Sequence, residues 1–179
     1  MPEETKLDKR IIGAAGEHYV MCQLLRHGLI AALAPQGAPN ADILVTDIES
    51  KKLCSVQVKT RRDIGSDKGW HMKKKHEDMV APDLFYCFVD LGKSPGDEIK
   101  CYIVPSDVVA RVLTVSHKAW RSTPGKKGQE RNDTIMRRMK PDYTSTLAGT
   151  KYAKEFGSGW MEQYRNRWDS LSDQARALF

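Results

Sequence analysis

Gln57 and Lys59 lie two positions apart in the segment SVQVKT, Ser55 to Thr60. Side chains alternate across a strand, so these two share one face while Val56 and Val58 take the other. Asp42 stands shortly before them, at the start of a second β-like run, ADILVT. An amide oxygen and an ammonium side by side, with an aspartate on the neighbouring strand, make a hard-metal site with a cation next to it. The chemistry open to such a set is phosphodiester hydrolysis, in which a metal polarises the phosphoryl group and an ammonium serves the attacking water or the developing charge. Glu17 adds a second acid, on a helical segment where Val20, Met21 and Leu24 follow at i+3, i+4 and i+7. It therefore lies on an apolar stripe, and a buried carboxylate needs a cation, a metal or hydrogen-bond donors as partner. Each residue also has a plain role open to it. Glu17 can snorkel to water from the stripe's edge, Asp42 can cap a turn, Gln57 can bond the backbone, and Lys59 can open a solvated basic loop.

The elements that must position these groups are readable from periodicity. From Arg10 to about Leu29 apolar residues recur at helical spacing, as Ile12, Ala15, Tyr19, Cys22 and Leu25, and Gly28 is placed to end the helix. The run GAAG, Gly13 to Gly16, follows no strand and lacks the ending of a phosphate-binding loop; its small residues let the helix come close to a sheet and carry Glu17 to the metal. After the turn-rich PQGAPN, residues 41–48 predict a strand and 52–60 its hairpin partner, joined by the polar stretch Glu49 to Lys52. Asp83 to Leu91 is apolar throughout, as a central strand covered on both faces would be. Cys101 to Pro105 predicts one more strand. Ser106 reads as the N-cap of a helix through about Leu113, with Asp107 in its first turn. The order helix, four strands, helix predicts an α/β or α+β sandwich with a mixed sheet. Thr123 to Asn132 reads as a loop. In Lys151 to Phe179 the spacing of Phe156, Trp160, Tyr164, Trp168 and Leu171 predicts one or two helices packing back on the domain.

With 179 residues, 40% of them hydrophobic, the chain suits a single domain over 1–179, its core pattern at about 10–115 and a basic extension at about 116–179. Lys and Arg outnumber Asp and Glu by 29 to 23, a net charge of +6, so the surface field favours polyanions. Cys22, Cys54, Cys87 and Cys101 show no metal-ligand spacing and are expected as buried free thiols in a reducing compartment. The charged start lacks the apolar core of a signal peptide and no run is long enough to span a membrane, so the expectation is a cytoplasmic protein without membrane contact. Basic clusters recur at Lys51 and Lys52, Lys59 to Arg62, Lys73 to Lys75, Lys126 and Lys127, and Arg137 to Lys140. In KGWHMKKKH, Trp70 can stack on a base while Lys73, Lys74 and Lys75 meet phosphates, or it can anchor its loop to the core; with Arg61 and Arg62 these are the candidate nucleic-acid contacts. His71 and His76 lack the spacing of a zinc motif. His117, Trp120 and Arg121, with Asp133, Met136 and Arg137, form a second region that the sequence leaves without a role.

An acid on a helix, an acid on a strand and a Q-x-K on the next strand, in this order, resemble the PD-(D/E)XK nuclease superfamily. Asp42 stands at the motif's aspartate, Gln57 at its second acidic position, Lys59 at its lysine and Glu17 at the glutamate that many members carry on the first helix. The resemblance spans Gly16 to Thr60, with Ala41 where the motif's proline would stand. Its Q-x-K variant is similar to a group I intron homing endonuclease of this fold, and the pattern also resembles archaeal Holliday junction resolvases. The resemblance implies a restriction-endonuclease-like three-layer sandwich with a central mixed β-sheet and an α-β-β-β-α-β core. It implies Mg²⁺, or Mn²⁺ as substitute, held by Asp42, Gln57 and the Val58 carbonyl, with Glu17 contributing directly or through water. It further implies that Lys59 orients or deprotonates the water or offsets charge on the phosphorane, that the substrate is double-stranded or branched DNA, and that cutting both strands calls for a homodimer or higher homo-oligomer. The neutral amide of Gln57 leaves an alternative open, a catalytically weak or inactive nucleic-acid-binding module keeping the nuclease fold. A third is a structural protein whose acid–lysine cluster is an ordinary salt bridge.

Overall fold

The computed structural model describes residues 8–49, 52–63 and 69–172. Strand β5, Leu84–Asp90, shows how the interior is divided: Leu84, Tyr86 and Phe88 enter one apolar cluster, Phe85, Cys87 and Val89 another. Alternate side chains leave a strand on opposite faces, so the sheet separates two cores. That sheet holds β1 (Ile30–Leu33), β2 (Ile43–Thr46), β3 (Leu53–Arg61), β5 and β6 (Lys100–Pro105) in the order β1-β2-β3-β5-β6. Its β3–β5 pair is parallel and the others antiparallel. On one face lies α1, Lys9–Arg26, through Val20 and Leu24 against Ile43, Val45, Val56 and Val58. On the other lies α2, Ser106–Ser122, through Val109, Val112 and Leu113. The result is the expected α+β sandwich around a mixed sheet, with the apolar β5 in its interior.

Helix α1 is capped by Asp8, whose carboxylate accepts the Arg10 N–H at 2.8 Å, and it ends before Gly28, φ +76°, a conformation only glycine adopts without cost. Its buried stripe is Gly16, Val20 and Leu24, the face read from Glu17 with Val20, Met21 and Leu24, and not the longer set Ile12, Ala15, Tyr19, Cys22 and Leu25. Leu25 is 54% exposed and Cys22 is exposed, whereas Cys54, Cys87 and Cys101 are buried as free thiols. The cause is Gly16: a Cβ there would lie 1.9 Å from Thr60 Oγ1, so the helix docks through its smallest residue and turns the larger set outward.

Three further elements differ from the sequence expectation. β1 is an additional edge strand. α2 runs past Leu113 to Ser122, and Ser106 caps nothing; its hydroxyl donates to the Ala81 carbonyl at 2.8 Å and accepts the Ala81 N–H at 3.0 Å. Between β3 and β5 the described residues hold no α-helix but β4, Trp70–Lys73, and a 3₁₀ turn, Lys74–Glu77; β4 pairs antiparallel with β7, Met136–Met139, in a separate ribbon. The C-terminal stretch, expected as helix, is turns and two 3₁₀ segments as far as it is described. Gly159 at φ +77° and Asn166 at φ +54° interrupt any helix there. Its apolar residues are anchored nonetheless: Phe156 and Trp160 join the α2 core, Trp168 and Leu171 the α1 core. Among the described residues no helix is long and apolar enough to cross a membrane.

Candidate active site

The site grows from a mismatch in strand length. The β2–β3 ladder ends at Ile43 opposite Val56, with the Asp42 N–H donating to the Val56 carbonyl at 2.9 Å. β3 continues, so Val58 has no strand partner on that side, and the Asp42 carboxylate accepts its N–H at 2.7 Å. The Val58 carbonyl instead accepts the Lys59 ammonium at 3.4 Å. One strand end thus gathers a fixed carboxylate, a backbone oxygen outside the ladder and a lysine.

Gln57 lies opposite Tyr86 and Lys59 opposite Phe88 in the parallel β3–β5 register. Gln57 is buried, and its Oε1 has no hydrogen-bond partner among the described residues; the Tyr86 hydroxyl has none either. A buried polar atom left unpaired costs about 1–3 kcal/mol, so such atoms mark a place made for a ligand or solvent. Glu17 faces the same region from α1. Burial and the Asp42 charge push its carboxyl above the ordinary value, opposed by His18 and Lys59. Burial pulls Lys59 below the usual lysine range, reinforced by Lys75 and Lys73 and opposed by Asp42 and Glu17. Glu17, Asp42 and Lys59 therefore lie within electrostatic reach of one another.

The sequence reading did not single out His76 for this site. It is 3% exposed, its Nδ1 accepts the Lys73 N–H at 2.9 Å, and its ring stands edge-on to Tyr86 with centroids 5.8 Å apart. Burial first, then Lys59 and Lys75, push it down to about 4, so at neutral pH it is an uncharged imidazole with its proton on Nε2. The groups that could hold a divalent cation are Asp42, Gln57 Oε1, the Val58 carbonyl and Glu17. All are oxygen donors, and the unpaired amide oxygen fits such an ion. Among the described residues no three His, Cys, Asp or Glu side chains converge, so these mixed oxygens are the donor set on offer.

The candidate nucleic-acid contacts divide. Trp70 and Arg61 are not surface groups: Trp70 is 1% exposed and its indole N–H donates to the Val89 carbonyl at 2.8 Å. Arg61 lies over that ring at 4.3 Å and donates to Asp90 at 2.9 and 2.6 Å. They brace β3 against β4 and β5. Arg62 donates to the Lys93 carbonyl. Lys73, Lys74 and Lys75 are exposed. Lys75 donates to Asn40 Oδ1 at 3.1 Å in the loop before Asp42, while Lys74 turns to Asp133 at 2.9 Å. Lys73 and Lys75 thus border Lys59. Lys51 lies outside the described residues.

No protein-family model matches this chain, and no curated protein sequence matches it. Among solved structures, the bacterial homing endonuclease I-Ssp6803I is similar over 96% of this chain and 96% of its own, with a TM-score of 0.52 at 13% identity. The chain has a nuclease-like fold. At that identity the likeness concerns architecture, and the chemistry of the site rests on the residues described above.

Proposed function

We propose that this chain is a metal-dependent endonuclease of the PD-(D/E)XK kind, hydrolysing phosphodiester bonds in double-stranded or branched DNA. The observation that carries this reading is the unpaired, buried Gln57 Oε1 on β3, next to Val58, whose N–H donates to Asp42 and whose carbonyl accepts from Lys59. Asp42, Gln57 and the Val58 carbonyl would hold Mg²⁺, for which Mn²⁺ could substitute, with Glu17 contributing directly or through water. When bound, the ion polarises the phosphoryl group and acidifies a bound water. Lys59, poorly solvated, releases its proton more readily than a surface lysine, which suits it to take the proton of the attacking water; protonated, it offsets charge on the phosphorane. Asp42 also fixes the Val58 peptide, and exposed Lys73 and Lys75 beside Lys59 suit the phosphates on either side. Cutting two strands calls for two such sites, hence a homodimer or higher homo-oligomer.

The test is nicking of supercoiled plasmid and of a four-way junction in Mg²⁺ or Mn²⁺, comparing the wild type with Asp42→Asn and Lys59→Met. Loss of cleavage on the order of a hundredfold or more in each, with folding intact, is expected; full activity in the double variant overturns the reading. Gln57 favours one second reading, since a neutral amide binds a divalent ion less strongly than a carboxylate. On that reading the chain binds nucleic acid without cutting it, and Asp42→Asn leaves affinity intact while no divalent ion supports cleavage.

A further inference from the structure

The region around His117 and Trp120, which the catalytic reading leaves unused, encloses a cavity of about 410 Å³ between the C-terminal half of α2 and β7. Its wall includes three cations, Arg137, Arg138 and Lys140, and no carboxylate. Arg137 is fully engaged, pairing with Glu77 and Asp133 and donating to the Thr134 and Met136 carbonyls. It holds the wall in place. Asp133 does the same from outside, accepting from Lys74, His117 and Arg137, which keeps its carboxyl far below the usual range and ties the ribbon to α2. Lys140 is half-buried, with its backbone fixed by the Tyr143 hydroxyl. Trp120 also lines it, stacked on His117 at 5.4 Å between ring centroids and with the Arg131 guanidinium over its ring at 4.7 Å. Thr134 and Thr146 add hydroxyls. Cations, hydroxyls and an aromatic wall in a space within the range of small-ligand pockets, about 300–1,000 Å³, match a phosphate joined to a flat ring.

Its position selects the source of that ligand. Met136, in the cavity wall, pairs across the ribbon with Lys73, one of the two lysines bordering Lys59. Paired strands lie about 4.8 Å apart and a DNA strand advances about 3.4 Å per nucleotide, so a strand passing Lys59 and Lys73 reaches the cavity within one or two nucleotides. His71 and Arg138, also paired and joined at 2.9 Å, share the ribbon face of Lys73. We infer that this cavity takes one nucleotide of a bound DNA strand, its phosphate on Lys140 and its base toward Trp120. The assignment of the strand to DNA rests on the proposed function; the nucleotide chemistry of the cavity does not.

Binding of a fluorescein-labelled 16-mer of thymidine, and separately of dAMP, is measured by anisotropy and tryptophan fluorescence without divalent ions. The full chain is compared with Lys140→Gln and with Thr146→Phe, which fills the cavity and removes no charge. Both variants weaken oligonucleotide binding on the order of fivefold or more, and Lys140→Gln lowers the log–log salt slope by about 0.7. Unchanged affinity in both variants, with the wild type binding, overturns the inference and leaves the nuclease reading standing. Saturable binding of dAMP tighter than the oligonucleotide overturns the assignment to a DNA strand. Failure of the wild type to bind the oligonucleotide or plasmid DNA at all overturns this inference together with the proposed function.

Discussion

Gly16→Ala tests how α1 delivers Glu17 to the site. The added methyl would sit 1.9 Å from Thr60 Oγ1, 2.8 Å from its Cγ2 and 2.9 Å from its Cβ. Ordinary carbon contacts lie at about 3.5–4.0 Å. Rotating Thr60 moves Oγ1 and Cγ2 away and leaves Cβ where it is, so the helix must retreat from β3 by about half an ångström or more. Overpacking of this kind costs about 1–3 kcal/mol, against which alanine's better helix propensity returns about 1 kcal/mol. The net expectation is a loss of up to about 2 kcal/mol, whereas propensity alone would stabilise by about 1 kcal/mol, so a measured loss decides between them. Thr60→Ala in the same background removes two of the three clashing atoms, and with them a buried hydroxyl that has no partner, so it should recover most of the loss. Urea denaturation of the four proteins in the cycle gives the coupling energy. Because Glu17 adjoins Gly16, plasmid nicking should fall by about tenfold or more in Gly16→Ala and return in the double variant. A Gly16→Ala protein as stable and as active as the wild type would refute the close-approach reasoning.

Other outcomes follow from the same geometry. His76, at about 4 in the fold against an ordinary 6.5, binds its proton less readily folded than unfolded, so its contribution is present above pH 6.5 and lost on acidification toward 4. From pH 7.5 to 5.0 the wild type should lose about 2 kcal/mol more than His76→Gln by urea titration; parallel curves for the two would contradict this. Asp90→Asn leaves the buried Arg61 guanidinium over Trp70 without its carboxylate and should cost about 3 kcal/mol, read as a lowered melting temperature; a change under about 0.5 kcal/mol would show that the pair contributes little. Trp70→Phe should lower stability through the lost bond to Val89 and leave DNA affinity within about twofold, whereas Lys73→Gln with Lys75→Gln should weaken binding and flatten its salt dependence. The reverse ranking in a salt-titrated binding assay would return Trp70 to the surface role its neighbours in sequence suggest.

What the sequence made legible was whatever a short period encodes. The two-residue alternation of β3 put Gln57 and Lys59 on one face, and the unbroken apolar run of β5 marked a strand covered on both sides. Gly28 ended α1 where its positive φ was needed. The rotational setting of α1 was legible from Glu17, Val20 and Leu24 but not from the longer set Ile12 to Leu25, because it is decided by one close contact, Gly16 with Thr60. The β4–β7 ribbon was hidden for another reason: each strand has four residues, both carry charge, and the pairing joins distant segments. Without that ribbon Trp70 reads equally as a stacking residue or a core anchor and His76 as part of a basic run. With it, Trp70 becomes core and His76 lies buried beside Lys59. The Val58 peptide left outside the β2 ladder likewise depends on β3 outrunning β2, a difference of strand ends that local pattern does not carry.

The most direct measurement is the anomalous density of Mn²⁺ in crystals of the wild type and of Asp42→Asn, soaked at a concentration that supports plasmid cleavage. A peak contacting both the Asp42 carboxylate and Gln57 Oε1 in the wild type, absent from Asp42→Asn, is the predicted result. An ion bound away from Gln57, or none while cleavage proceeds, would contradict it.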